Sequence, residues 1–190
     1  VPLTAREMPE PVYYNADGVI LSADAPAEEV SQVRYVISIR PDIHFQPHPA
    51  FARDDSGEYR YHSMSPQAID AVHTLDDFGH SGTRRLTAAD YVYQVKRMVH
   101  PRVHSPIAGL MSKYIAGLDE LASRLKTANE NSRGAYINLR DYDFKGARAI
   151  DETTFEIILK QKYPQFIYWL SMYFFSPMPW EADVFYSQAG

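Results

Sequence analysis

The stretch from Leu86 to Leu118 constrains the fold more than any other, because the starts of two helices and the break between them are written in it. Thr87 is placed as an N-cap, and Asp90 stands three residues on, where a carboxylate reaches back to the cap's free N–H. Val92, Val95 and Val99, with Tyr91 and Met98 beside them, form one apolar face at helical spacing. Pro101 ends this first helix, since proline has no N–H to donate and restricts the residue before it. Ser105 and Pro106 then signal a restart, a hydroxyl cap followed by proline at the first helical position. Ile107, Leu110, Met111, Tyr114, Ile115 and Leu118 follow at helical spacing, and Leu121 and Leu125 carry the second helix to about Lys126. Such a stripe predicts packing against a core rather than a cofactor site.

Helices with one apolar face need a surface to cover, and the flanking segments predict one. In residues 33–40, Val33, Tyr35, Ile37 and Ile39 point one way, with Arg34, Ser38 and Arg40 opposite, the alternation of a half-buried strand. Residues 147–160 read as a hairpin turning at Asp151 and Glu152, with Phe155, Ile157 and Leu159 on one side. A smaller hairpin is expected where Val12–Tyr14 and Val19–Leu21 flank Asn15–Gly18. Residues 135–139 fit a strand or a short helical turn equally. Pro164 opens an aromatic helix through Phe166, Trp169, Leu170, Tyr173 and Phe174, ended by Pro177 and Pro179. The expected fold is therefore α+β: a mixed or mainly antiparallel sheet of about four to six strands with helices packed against it. Its core should include Leu110, Tyr114 and Leu170 with the two long strands.

The 190 residues suit a single domain. Residues 1–30 are expected to be an incoming linker or hairpin. Residues 46–85 read as an irregular insertion, broken by Pro47, Pro49 and Pro66, with a short strand around Tyr59–Tyr61 and a short helix opened by Ser65-Pro66. The chain opens on Val1 without an initiator methionine, which suggests a removed leader or an excised piece of a longer protein.

Charge and composition exclude several classes. A net charge of −5 with no Lys/Arg block argues against a nucleic-acid binder. The absence of cysteine excludes a disulfide scaffold, a thiolate metal site and a cysteine nucleophile. No apolar run approaches the ~18 residues of a membrane span.

The remaining constellations read as structural. His100 and His104 have the spacing of two ligands on one helix face, but Pro101 lies between them, and Pro47 and Pro49 surround the similar pair His44 and His48. Asp141, Asp143, Gly146 and Glu152 fall at positions of a calcium loop, yet Lys145 sits where an oxygen ligand is needed. There is no Gly-x-Ser-x-Gly elbow, no zinc-protease histidine motif and no phosphate-cradling glycine loop. The pair Asp76 and Asp77 reads as solvated. The expectation is no catalytic residue, no metal and no cofactor.

Several motifs occur together in a telling order. Tyr-Val-Ile-Ser-Ile-Arg-Pro-Asp-Ile-His-Phe (35–45) is followed by Leu-Thr-Ala-Ala-Asp-Tyr-Val-Tyr-Gln-Val-Lys-Arg-Met (86–98) and His-Pro-Arg-Val-His-Ser-Pro (100–106). Then come Gly-Ala-Arg-Ala-Ile-Asp-Glu-Thr-Thr-Phe-Glu-Ile (146–157), Tyr-Pro-Gln-Phe-Ile-Tyr-Trp-Leu (163–170) and Phe-Ser-Pro-Met-Pro-Trp-Glu (175–181). Over roughly residues 33–181 this order resembles family 5 of the extracellular solute-binding proteins, the peptide/nickel class that serves ABC importers. The departures are Pro41-Asp42 at the usual turn glycine, His44-Phe45-Gln46-Pro47 in place of an aspartate-glycine turn, and about forty residues inserted before Leu86.

The resemblance implies a solute-binding, non-catalytic role, with an oligopeptide as the expected solute. It also implies a membrane permease as partner, a periplasmic location and a monomer. Family members have two lobes around a cleft, and the matched motifs belong to a smaller extra domain that edges it. The expected ligand contacts are His104 and Ser105, at the start of the second helix, and Tyr114 two turns on; a helix start offers free N–H groups and partial positive charge. Two rival readings are a metal-dependent hydrolase domain using histidines and the carboxylates of Asp141 and Asp143, and a protein-interaction module using the aromatic helix 164–175, tested at Trp169.

Overall fold

A computed structural model describes residues 3–188. In chain order the strands are β1 (Pro11–Tyr14), β2 (Gln32–Ser38), β3 (Ala147–Ala149) and β4 (Thr154–Leu159). The helices are α1 (Pro66–Asp70), α2 (Ala88–Arg97), α3 (Ala108–Tyr114), α4 (Leu118–Asn131), α5 (Phe166–Trp169) and α6 (Trp180–Tyr186). The chain divides into two compact units, Val1–Arg40 with Thr87–Pro177, and Pro41–Leu86 with Met178–Gly190.

The first unit holds the sheet, in the order β1-β2-β4-β3, with every pairing antiparallel. The fold is α+β, as the sequence predicts, with β2, β3 and β4 in the expected places. The small N-terminal hairpin is not formed, since β1 pairs with β2 and residues 19–21 contribute only the Tyr14–Ile20 bridge, and residues 59–61 form no strand. Tyr35 faces Ile157 and Ile37 faces Phe155 across the β2–β4 register. Val33, Tyr35, Ile37, Phe155, Ile157 and Leu159 are all buried, so one face of the sheet is core. On the other face Glu156 is buried between two arginines: Arg34 Nε donates to it at 2.5 Å, and Arg148 Nε donates to its other oxygen. Burial pushes the Glu156 pKa up, but the bonds from Arg148 and Arg34 outweigh it and hold the carboxyl below its ordinary value.

Helix α2 begins as its sequence dictates. The Asp90 carboxylate accepts from the Thr87 N–H at 2.8 Å and from the Thr87 hydroxyl at 3.0 Å. Val92, Val95, Met98 and Val99 are buried. The second predicted helix is not continuous. It starts at Ala108 rather than Pro106, with Ile107 in the cap position and no side-chain capping bond. It stops after Tyr114, because the sheet competes for its backbone: Lys160 N–H donates to the Tyr114 carbonyl at 2.7 Å, and Ala116 N–H donates to the Ile158 carbonyl at 2.9 Å. Gly117, at φ +72°, turns the chain into α4. Gly146 permits this arrangement, since a Cβ there would run into the Ala116 carbonyl and the Ile115 side chain. Met111, Ile115, Leu118, Leu121 and Leu125 are each 0% exposed, so most of the stripe is core despite the break. Leu110 and Tyr114 are only half-buried, and so is Leu170.

The aromatic helix is shorter than its sequence predicts. Helix α5 spans four residues, and Met172, in extended backbone, separates it from a 3-10 turn at Tyr173–Phe175. Residues 135–138 carry no regular structure and lead into a 3-10 turn at Leu139–Asp141.

The second unit is built from turns and two short helices. Its 3-10 turns lie at Pro49–Phe51 and Leu75–Asp77, and α1 is capped by the Ser65 hydroxyl, which accepts from the Ala68 N–H. Single bridges join His44 to Arg85, His48 to Gly82 and Arg53 to Tyr59. Asp76 and Asp77 open a turn, and the Asp77 carboxylate accepts from the N–H groups of His73 and Thr74 at 2.8 Å each. Helix α6 is not foreseen in the sequence reading. Pro179 fixes its start, and Glu181 and Asp183 occupy its first turn.

Candidate functional site

The sequence-predicted contact residues lie at opposite ends of α3. His104 is exposed with φ +50°, a left-handed conformation, and Ser105 is half-buried. The Ser105 carbonyl accepts from the Ala108 N–H at 3.2 Å, while its hydroxyl makes no capping bond to the helix. Tyr114 lies flat on Tyr163, with ring centroids 3.9 Å apart and planes at 7°, so one face of its ring is occupied. These three residues are not brought to one point.

The first unit instead presents an apolar hollow of about 490 Å³. Its floor is the core face of the sheet, from Ile37, Ile39, Phe155 and Ile157. One wall comes from α2, through Tyr91 and Val95, and another from the segment 167–177. The N-terminal segment 3–9 supplies the rim, where Leu3 is 85% exposed and Met8 is 57% exposed. No lining residue is charged. The Tyr91 hydroxyl donates to Thr4 Oγ1 at 2.6 Å, and its ring stacks on Phe155 at 4.8 Å. Burial pushes the Tyr91 phenol above its ordinary pKa, so it stays neutral. A hollow of this size lies within the roughly 300–1,000 Å³ common for ligand sites. Its chemistry suits a neutral, apolar group, and it offers no ionised side chain for acid–base work. The sequence reading missed it because residues 3–9 read as a linker; Leu3 and Met8 were the available signal.

In the second unit the polar groups serve the fold. Glu181, 1% exposed, accepts two bonds from Arg84, Nε to Oε1 and Nη2 to Oε2, each 2.6 Å, and a third from the Tyr59 hydroxyl at 3.1 Å. His62 stacks on Tyr59 at 4.1 Å, and Trp180 meets both rings edge-on. His48 Nδ1 accepts from the Ala50 N–H at 3.0 Å, and Nε2 lies 2.9 Å from the Tyr186 hydroxyl. Burial pushes the His48 pKa down.

The calcium-loop residues are likewise dispersed. Asp141 accepts from Asn138, Asp143 is exposed, and Glu152 offers its carbonyl to the Ala88 N–H. Among the described residues no three His, Cys, Asp or Glu side chains are grouped to share a metal ion. Trp169 donates its indole N–H to the Tyr163 hydroxyl at 2.9 Å. Among the described residues no helix is long and apolar enough to cross a membrane.

Neither a protein-family model nor a curated protein matches this chain. Solved structures do. The pheromone receptor PrgZ, whose mode of peptide binding is described, aligns at a TM-score of 0.51 and 20% identity, over 95% of this chain and 22% of that one. OppA of Listeria monocytogenes bound to peptide aligns at 0.43 and 17%, covering 94% of this chain and 25% of that one. The murein tripeptide binding protein MppA of Escherichia coli aligns at 0.43 and 18%, covering 88% and 24%. The chain thus spans about a quarter of the length of these proteins or less. At 20% identity the PrgZ likeness establishes a shared fold, and the two weaker scores add nothing to it.

Proposed function

We propose that this chain is a non-catalytic part of the solute-binding component of an ABC importer, and that the solute is an oligopeptide. The observation that carries this reading is the likeness to PrgZ across 95% of the chain. The order of motifs between residues 33 and 181 supports it from the sequence alone. In this proposal the protein works outside the cytoplasm, as a monomer, and delivers its solute to a membrane permease. The ligand edge is proposed at His104, Ser105 and Tyr114, with the uncharged hollow available for an apolar group.

An extended peptide needs contacts along its whole length, and this chain spans only about a quarter of the proteins it resembles. Calorimetry of the isolated chain with peptides of two to nine residues should therefore give dissociation constants of about a millimolar or weaker. Mass spectrometry of molecules that co-purify with a longer form of the protein should find peptides. Peptide hydrolysis by the purified chain, or a small non-peptide as the only co-purifying molecule, would overturn the reading.

One observation favours a second reading, a protein-interaction surface. Tyr168 is 69% exposed and Tyr173 is 74% exposed on the aromatic segment. Concentration-dependent self-association abolished by Tyr168→Ser with Tyr173→Ser would favour it over peptide import.

A further inference from the structure

A second cleft lies on the other side of α2 from the apolar hollow's residues, and its chemistry is opposite. It has a volume of about 520 Å³ and is lined by Lys96 and Tyr93 of α2, by Arg140, Asp143 and Phe144 of the segment between α4 and β3, and by Arg148 of β3. Lys96 is the central feature. Its side chain is only 9% exposed, yet its ammonium is poorly served: Nζ donates to the Leu139 carbonyl at a long 3.3 Å and lies 3.8 Å from an Asp143 oxygen, beyond a hydrogen bond.

A desolvated ammonium needs a close counter-ion, and Asp143 is a poor one. Its side chain is fully exposed, so water competes for it and little holds it in place. Burial pushes the Lys96 pKa down, and Asp143 pulls it back only in part. Two more cations border the same cleft. Arg140 is bonded through Nε to Asn138, and Arg148 through Nε to Glu156. Arg124 stands close by, donating to the Asp143 carbonyl at 2.8 Å. Asp141 is also near enough to favour the charged form of Lys96, but among the residues that line the cleft Lys96, Arg140 and Arg148 face the single carboxylate of Asp143. The Tyr93 and Phe144 rings give the cleft apolar walls, and its volume exceeds what a bare ion needs.

We propose that this cleft binds a small organic carboxylate, with the Lys96 ammonium seating the charge, Arg140 as a second contact and Asp143 as an internal competitor. No step of this depends on the peptide-import reading. The carboxylate displaces the Asp143 side chain from Lys96 and replaces a 3.8 Å ion pair with a charge-assisted bond in a partly dry site. The aromatic walls cover the apolar body of the ligand.

The test is a titration of the full chain with N-acetylleucine, and in parallel with N-acetylleucinamide, which has the same shape without the charge. Binding is read by chemical shifts of the backbone amides in α2 and residues 138–149. The carboxylate should saturate these shifts at low millimolar concentration, and the amide should bind about tenfold more weakly or worse. Lys96→Met should weaken the carboxylate about tenfold. Arg140→Gln should weaken it by a few-fold, and Asp143→Asn should tighten it by a similar factor. The last two positions are exposed, so they carry the test even if Lys96→Met does not fold. No saturable shifts by about 50 mM, equal binding of the amide, or an Asp143→Asn variant that binds no tighter than wild type would each overturn the proposal.

Discussion

The two units are held together by different physics. The first buries apolar side chains: one face of the sheet, and Met111, Ile115, Leu118, Leu121 and Leu125, these five all at 0% exposure. The second buries fewer large aliphatic side chains and is centred on a charge, Glu181, gripped by Arg84 and Tyr59 among stacked rings. An apolar layer tolerates small shifts, because dispersion and water exclusion have little direction. A buried carboxylate does not, because losing one partner leaves an uncompensated charge. Core substitutions should thus act by volume in the first unit and by hydrogen-bond identity in the second.

The largest expected effect is a cavity in the first unit. Leu121→Ala should cost about 2–5 kcal/mol in chemical unfolding. Leu110→Ala, on the same stripe but half-buried, should cost about 1 kcal/mol or less, since less apolar area is lost. Equal costs would mean that the break at Ile115–Gly117 does not set which part of the stripe is core. Next is Glu181→Gln, which keeps the shape and removes the charge. It should cost about 2–3 kcal/mol, less than a fully buried pair, because the Arg84 side chain is 26% exposed. Hydrogen exchange should rise mainly in residues 41–86 for Glu181→Gln and mainly in residues 87–160 for Leu121→Ala. Identical exchange patterns would break the comparison.

This difference also explains what the sequence made legible. Alternation in β2 and β4 and the Thr87/Asp90 cap of α2 are local signals, and local signals survive tertiary context. The break after Tyr114 is not local. It arises because β4 and the residue just after it, more than forty positions later, offer Ile158 and Lys160 to the same backbone. Nothing in the helical spacing of Ile107 to Leu125 contains that competition; Gly117 was a hint, and Gly146 is meaningful only once Ala116 is seen against it. The second unit was least legible because its organising residue, Glu181, lies about a hundred residues from Arg84 and Tyr59. Of the candidate site, the sequence pointed to residues at the two ends of α3, of which only His104 is exposed, while the hollow and the Lys96 cleft depend on elements joined only by the fold.

A smaller effect separates the units by pH. His48 accepts from Ala50 N–H through Nδ1, so the folded protein holds its ring neutral, and burial lowers its pKa. The unfolded chain protonates a histidine at its ordinary value, about 6.5. Below that value the unfolded state binds more protons than the folded one, so stability is complete above about pH 6.5 and declines as pH falls toward the lower folded pKa. Amide protection in residues 41–86, corrected for the intrinsic slowing of exchange at lower pH, should fall between pH 7.5 and 5.5 more than in residues 87–160, and His48→Gln should remove the excess. A uniform response in both units, or an excess that persists in the variant, would remove His48 as its cause.

The smallest expected effect concerns the proposed ligand edge. His104 holds a left-handed backbone at φ +50°, where a Cβ is strained and glycine is not. His104→Gly should therefore leave stability within about 1 kcal/mol of wild type, the local relief offsetting the added freedom of the unfolded chain. Ser105→Ala should change stability by about 0.5 kcal/mol or less, because the hydroxyl makes no capping bond and the Ser105 carbonyl, which does bond, is unaffected. With folding so little disturbed, any change in peptide affinity reads contact with the ligand. In a longer form of the protein that binds peptide, His104→Ala with Ser105→Ala should weaken binding by about 0.5–1.5 kcal/mol, the worth of one or two exposed polar contacts. Tyr114→Phe should change affinity less, since the ring already rests on Tyr163 and only its hydroxyl is lost. Unchanged affinity in the double variant would take this junction out of the site. A loss confined to Tyr114→Phe would move the ligand edge to the far end of α3.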